Sequence, residues 1–218
     1  MTIAVKEALR YLGIRDADPE TLARAAAQAQ ALESRLTPRY VYRICALQKR
    51  PDGWLLQDAN LLLPGRLADQ MLGECHLAAL LLCTLGAEFD AMLRAVQARD
   101  MADAVVLDAC GSVYVEAGCD SAQAEIAARY PDLYLTDRFS PGYGDLPLSL
   151  QGDWLRALNG EKRLGVCETE AHLLLPAKSV TAVIGLSHRP QPAIIRGCGV
   201  CALRDVCAYR KRGLTCDS

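Results

Sequence analysis

The sequence has no excess of either charge. Its 24 Lys and Arg against 26 Asp and Glu leave a net −2 over 218 residues, which gives no electrostatic reason to expect a nucleic-acid partner. It also lacks a long apolar run. The longest, Cys75 to Ala87, is followed at once by Glu88 and Asp90, whereas a bilayer span needs about 20 apolar residues. Lys6 and Glu7 interrupt the N-terminal stretch where a secretory signal would need an apolar core. The expectation is a cytoplasmic protein with no membrane association. No Gly-rich loop ending in Lys-Ser/Thr, no Gly-x-Gly-x-x-Gly and no Gly-x-Ser-x-Gly occurs, so neither standard nucleotide fold nor a nucleophile elbow is signalled. The three histidines have no metal-binding spacing, and His76 and His172 lie in apolar stretches that read as core.

What is present is ordinary globular composition, 51% hydrophobic and 23% charged, with enough chain for a sizeable core. The Ala-rich stretch 3–36 reads as two helices, the second opened by Asp18 as N-cap with Pro19 in its first turn. Arg39 to Leu47 reads as a strand. Pro51-Asp52-Gly53 then turns the chain so that Trp54 to Gln57 can pair back. A helix is expected over Leu61–Glu74, a buried strand over His76–Leu85, and helices over Glu88–Arg99 and Ala102–Tyr130. Gly111 and Gly118, seven apart, share one face of the last, where close helix packing is the expected use. Leu133–Phe139 reads as a strand, Ser140–Leu146 as a Gly/Pro loop, and Ser149–Leu158 as a helix closed by Asn159-Gly160. Two further strands are expected near Ala171–Leu175 and Ser179–Ser187. The class is α+β, helices packed on a twisted antiparallel or mixed sheet. The organisation is an N-terminal helical segment 1–38, a core 39–192 and a Cys-rich tail 193–218.

Ten cysteines are unusual for a reducing compartment, where structural disulfides are rare. Six of them (Cys45, Cys75, Cys83, Cys110, Cys119 and Cys167) are scattered through apolar segments and read as small core residues. The other four fall in the last 21 residues. Cys198-x2-Cys201-x5-Cys207 brings three thiolates together in polar, basic surroundings, which points to a metal. A lone CxxC is poor for structural zinc, and three close thiolates with a distant fourth suit an iron–sulfur cluster. Cys216 is the expected fourth ligand and Cys167 the reserve, with zinc as the alternative metal. Reactive thiols are the remaining option, because Arg196, Arg204, Arg210, Lys211 and Arg212 would lower their pKa.

The segment Asp137-Arg138-Phe-Ser-Pro141-Gly142-Tyr143-Gly-Asp145 delivers an arginine from a strand into a turn that exposes backbone. Arg138-x-x-x-Gly142-Tyr143 resembles the Arg-x-x-x-Gly-Tyr motif of the reactivation domain of cobalamin-dependent methionine synthase. Downstream, Leu175-Pro-Ala-Lys-Ser179-Val-Thr-Ala-Val-Ile-Gly-Leu-Ser-His188 is similar to that family's Pro-x-x-Ser-Val-Ser-Gly stretch with its Ser-His ending. Two ordered matches run most clearly from Ala102 to His188.

The resemblance implies a methionine synthase activation domain-like fold that binds S-adenosylmethionine without a Rossmann motif. It implies that Arg138 holds the ligand's carboxylate, that Pro141, Gly142 and Tyr143 offer backbone and an aromatic face, and that Ser179 lies in the matched stretch. Glu116, on the long helix, corresponds to an acidic contact near the amino group and sulfonium. The family's N-terminal acidic contact has no match here. Arg189-Pro190-Gln191-Pro192 stands where aromatic residues normally follow the Ser-His pair.

The Asp-x-His-x-x-Gly cobalamin motif is missing. The resemblance therefore implies a reactivation subunit, a methyltransferase component of methionine biosynthesis. It would support reductive methylation of cob(II)alamin held in trans on a cobalamin-binding methionine synthase subunit. The tail's cluster would supply the electron or relay it from a flavodoxin or ferredoxin, drawn by the basic residues. Two other readings stand beside it, a non-catalytic zinc-binding docking subunit and an activator of another corrinoid methyltransferase.

Overall fold

The structure, a computed structural model, describes residues 1–190, 195, 205–211 and 213. Its elements run α1 (Val5–Tyr11), α2 (Pro19–Arg35), β1 (Arg39–Arg50), β2 (Gly53–Leu56), β3 (Leu61–Leu63), α3 (Arg66–Leu72), β4 (Leu77–Thr84), α4 (Ala87–Gln97), α5 (Met101–Arg129), β5 (Tyr134–Leu135), α6 (Gln151–Leu158), α7 (Gly160–Leu164), β6 (Cys167–Glu168), β7 (Leu174–Leu175), β8 (Ser179–Ser187) and α8 (Ala208–Lys211). Six strands form one sheet in the order β3-β2-β1-β4-β8-β5, and β6-β7 form a small second one. The β1–β2, β2–β3, β5–β8 and β6–β7 pairs are antiparallel. This is the α+β class expected. Among the described residues no helix is long and apolar enough to cross a membrane.

The chain divides into two units. The first comprises Met1–Arg43, Leu81–Ile126 and Ser149–Thr181, and the second Ile44–Leu80, Ala127–Leu148 and the chain from Ala182.

In the first unit, Asp18 caps α2 by accepting from the Thr21 amide at 2.8 Å, with Pro19 at the first helical position. α2 then buries Ala25, Ala29 and Leu32. The long helix α5 starts on Asp100, whose Oδ1 accepts from the Ala102 and Asp103 amides. Its glycines serve packing: a Cβ on Gly111 would lie 2.4 Å from Phe89 Cζ, and one on Gly118 2.6 Å from Pro38 Cβ. Trp154 of α6 is fully buried, its indole N–H donating to the Leu81 carbonyl at 3.2 Å. His172 is not core. It sits half-buried in the β6–β7 hairpin with φ +59 and Nδ1 3.0 Å from Glu168 Oε2. Cys167 is exposed, whereas the other five scattered cysteines are buried. A two-stranded hairpin has no second layer to cover both faces, which is why this thiol stays outside.

In the second unit, the expected hairpin forms, with Leu47 opposite Leu56 and Arg50 opposite Gly53. The expected helix from Leu61 starts late. Leu61–Leu63 instead pair with β2, Leu63 opposite Trp54. Pro64 follows with no amide to donate, and α3 begins only at Arg66. Burial holds the Cys75 thiol up at about 11, so it is an inert core group. His76 is exposed just ahead of β4 rather than core, stacked on His188 just past β8 with ring centroids 4.3 Å apart and planes at 4°.

Two predictions follow from this packing. Alanine normally gains about 1 kcal/mol over glycine inside a helix, but overpacking costs about 1–3 kcal/mol. Around Gly118 the neighbours are a rigid pyrrolidine and the buried Cys83 sulfur. Gly118→Ala is therefore expected to lower stability by about 1–2 kcal/mol in urea unfolding; a raised midpoint would refute the packing role. The second concerns His76. Although His76 is exposed, desolvation of its ring, and then the neighbouring His188, hold its pKa below the ordinary 6.5. The fold therefore resists a proton that the unfolded chain accepts. The stabilisation is full above about pH 6.5 and is lost as pH falls through the lowered folded value. Thermal unfolding from about pH 8 to about pH 5 should show this decline, flattened in His76→Gln; identical profiles for the two proteins would contradict it.

Candidate functional site

β8 is the template on which the Arg138 segment is laid. Every residue of this strand from Thr181 to Ser187 is buried. Tyr134 and Leu135 pair with Ser187 and Leu186, and the Thr136 amide donates to the Gly185 carbonyl at 3.0 Å. Phe139, however, pairs with Val183, their amides and carbonyls bonding at 3.2 and 2.8 Å. Asp137 and Arg138 therefore both stand opposite the single residue Ile184. This is a β-bulge, two residues against one, which bends the strand and re-aims its side chains. The strand expected over Leu133–Phe139 is thus interrupted where the arginine sits, with the regular ladder confined to Tyr134–Leu135.

A hydroxyl occupies the bulge. Thr136 Oγ1 accepts from the Gly185 amide at 2.9 Å, replacing the backbone carbonyl that a regular ladder would use, and donates to the Asp137 carbonyl at 3.0 Å. Thr136 is 3% exposed and Arg138 8% exposed. A guanidinium so far from water keeps a large part of its Coulomb and hydrogen-bonding strength.

Beyond Phe139 the chain enters the expected Gly/Pro loop. Pro141 is buried, whereas Gly142 and Tyr143 are exposed. Gly142 has φ +93, a conformation that a side chain would strain. Its amide donates to the Leu146 carbonyl at 2.8 Å, and the Leu146 amide donates back to Tyr143 at 2.9 Å. The loop is anchored at its far end by Asp145, whose carboxylate accepts from the Leu67 amide at 2.9 Å and the Arg66 amide at 2.7 Å. Those two bonds, the Leu67 one first, hold the Asp145 carboxyl below the usual carboxylate range. A Cβ on Gly65 would lie 2.8 Å from that carboxylate, so the anchor needs glycine there.

Arg138, Pro141, Gly142 and Tyr143 are thus brought together in one unit, on one bulge and one turn. Glu116 and Ser179 belong to the other unit. Glu116 is half-buried on α5. The Ser179 hydroxyl donates to the Pro176 carbonyl at 2.7 Å and lies 2.8 Å from Thr84 Oγ1, so it also closes the turn after the cis Leu175-Pro176 bond. Of the four expected metal ligands, Cys198, Cys201 and Cys216 lie outside the described residues. Cys207 is half-buried, its carbonyl accepting from the Lys211 amide at 3.2 Å in α8. Among the described residues no three His, Cys, Asp or Glu gather to hold a metal.

Sequence reasoning missed Thr136 and Asp145. The signal for Asp145 is a carboxylate directly after the glycine-opened turn. Nothing in the order of residues announces Thr136, because its partner Gly185 comes from a strand far along the chain. The assembled loop offers a buried cation, turn backbone and an exposed phenol.

The sequence matches no protein-family profile and no curated protein. Among solved structures, it is similar to a MetH reactivation domain determined with AdoHcy bound. The identity is 19%, over 95% of this chain and 77% of that one, with a TM-score of 0.67. The architecture, helices packed with an antiparallel sheet, is therefore the MetH reactivation domain fold.

Proposed function

We propose that this chain binds S-adenosylmethionine on the Arg138–Tyr143 segment and serves as a reactivation subunit, a methyltransferase component, for a cobalamin-dependent methionine synthase. One juxtaposition carries the reading: a buried arginine on a strand bulge opens directly into an exposed glycine turn, in a fold shared with a domain solved around AdoHcy. Arg138 would take the ligand's carboxylate as a planar two-point donor. Pro141 and Gly142 would shape the turn against which the nucleoside lies, and Tyr143, 51% exposed, would cover it. Glu116 and Ser179 enter through the motif resemblance alone.

The chemistry needs position more than acid or base. Bound S-adenosylmethionine supplies a methyl group at a sulfonium that leaves as a neutral thioether. The acceptor is the cobalt of a corrinoid held by a partner subunit. One electron reduces stalled cob(II)alamin to cob(I)alamin, whose electron pair takes the methyl group and releases AdoHcy. No proton moves in that transfer, which agrees with a loop built from a guanidinium, backbone and a phenol. The chain's share is to hold the methyl group in line, an effect of orientation.

The electron would come through the Cys-rich tail, with Cys198, Cys201, Cys207 and Cys216 holding an iron–sulfur cluster, or from a flavodoxin or ferredoxin docked on its basic residues. Four thiolates in that spacing suit the cluster better than zinc.

Two measurements test the proposal. Titration calorimetry is expected to show that Arg138→Ala weakens S-adenosylmethionine binding about 10- to 100-fold, the loss of charge-assisted hydrogen bonds. Arg138→Lys should recover only part of it, as a point charge in place of a fork. Unchanged affinity in Arg138→Ala would remove the arginine from the site. Separately, anaerobically purified protein should carry iron and absorb near ~400 nm, and Cys201→Ser should abolish both. Stoichiometric zinc with no iron would end the electron-transfer role and leave the ligand site standing.

A further inference from the structure

The pairing of the Arg138 segment with β8 contains a register conflict that one side chain resolves. Residues paired across an antiparallel ladder share a face, so Thr136 lies on the face of Gly185 and Phe139 on the face of Val183. Gly185 and Val183 are two apart in a regular strand and share a face. Thr136 and Phe139 are three apart, and in an unbroken strand they would face opposite ways. The extra residue in the bulge removes the contradiction. It lets Phe139 be fully buried and takes Arg138 out of the alternation.

A bulge needs a substitute for the ladder bonds it breaks. Here the Gly185 amide, on a fully buried strand, is satisfied by the Thr136 hydroxyl at 2.9 Å, and that hydroxyl's own proton goes to the Asp137 carbonyl at 3.0 Å. One buried hydroxyl therefore joins the template strand to the first bulge residue. The face of Gly185 is closely packed: a Cβ there would lie 2.5 Å from Cys75 Sγ and 3.1 Å from Thr136 Cγ2.

We infer that Thr136 is a positioning residue for ligand binding: its hydroxyl locks the bulge that aims Arg138, and removing it misplaces the guanidinium without touching the ligand. The inference rests on the proposed S-adenosylmethionine site. It adds a specificity-setting group that makes no contact of its own with the nucleoside or its carboxylate.

The test compares Thr136→Ala, which removes the hydroxyl and the methyl, with Thr136→Ser, which removes the methyl alone. S-adenosylmethionine affinity by calorimetry is expected to fall about tenfold or more in Thr136→Ala, the scale of an ångström-sized misplacement, and to stay near wild type in Thr136→Ser. A generic packing role would instead weaken both variants alike, since both lose the methyl group, and that result would overturn the inference. So would wild-type affinity in Thr136→Ala. Amide hydrogen exchange at Gly185 supplies a readout without ligand: protection should be lost in Thr136→Ala and kept in Thr136→Ser. Equal protection in the two variants would show that the hydroxyl does not lock the bulge. Should the wild-type protein bind no S-adenosylmethionine, the ligand reading fails, and the exchange experiment still decides whether Thr136 holds the bulge.

Discussion

The constraint on which the bulge depends is the burial of β8. Its residues from Thr181 to Ser187 are buried, and a glycine at 185 is hemmed in by Cys75, Leu72 and Thr136. A one-residue slip would turn every side chain of this strand to its other face, so the segment from Tyr134 to Phe139 adapts to it. The adaptation has two candidate forms, a regular ladder or a bulge. The regular ladder would turn Phe139 away from the face of Val183 that it now shares. Full burial of a phenylalanine is worth about 1.5–3 kcal/mol, and in the bulge the Gly185 amide keeps a partner in the Thr136 hydroxyl. The bulge wins, and the arginine inside it is freed from the alternation of the strand.

The far end of the loop is fixed by a different device with the same logic. The first backbone amides of α3 have no partner within their own helix. Asp145 supplies one, and in doing so ties the loop to a helix that Trp54 also reaches through its indole bond to Asp69 at 2.9 Å. Between Thr136 and Asp145 the chain makes a turn whose glycines take left-handed conformations at 142 and 144. The turn can expose backbone because both of its ends are held.

Much of this was legible from residues alone, and the parts that were not share a cause. Asp18 before Pro19 announces α2 because a cap is a local bond. The buried run of β4 and the 29-residue α5 follow from periodicity, and Gly111 and Gly118 from their seven-residue spacing. Two ordered motifs pointed to the reactivation-domain fold that the solved neighbour bears out. What escaped depends on partners distant in sequence. Leu61–Leu63 read as the start of a helix because nothing local reveals that Trp54–Leu56 will pair with them. His76 sat beside an apolar run yet lies outside it, just before the strand begins. Cys167 read as core because the surrounding residues are apolar, whereas the two-stranded hairpin that carries it has an open side. The bulge at Asp137–Arg138 is invisible in the sequence for the same reason: it is a property of two strands, not of one.

The burial of Arg138 bears on how a site of this kind can recognise its ligand. A guanidinium on an exposed loop would interact with a carboxylate through water, where such pairs contribute about 0–1 kcal/mol. At 8% exposure, Arg138 has already given up most of its hydration on folding, a cost met by the fold rather than at the moment of binding. On the proposed reading, a ligand carboxylate arriving there would gain stronger hydrogen bonds and spend less on reorganisation, provided the guanidinium points where it is needed. A deep arginine gives strength only where the backbone fixes its direction, and in the proposed site that feature is the bulge in which the Thr136 hydroxyl takes the Gly185 amide.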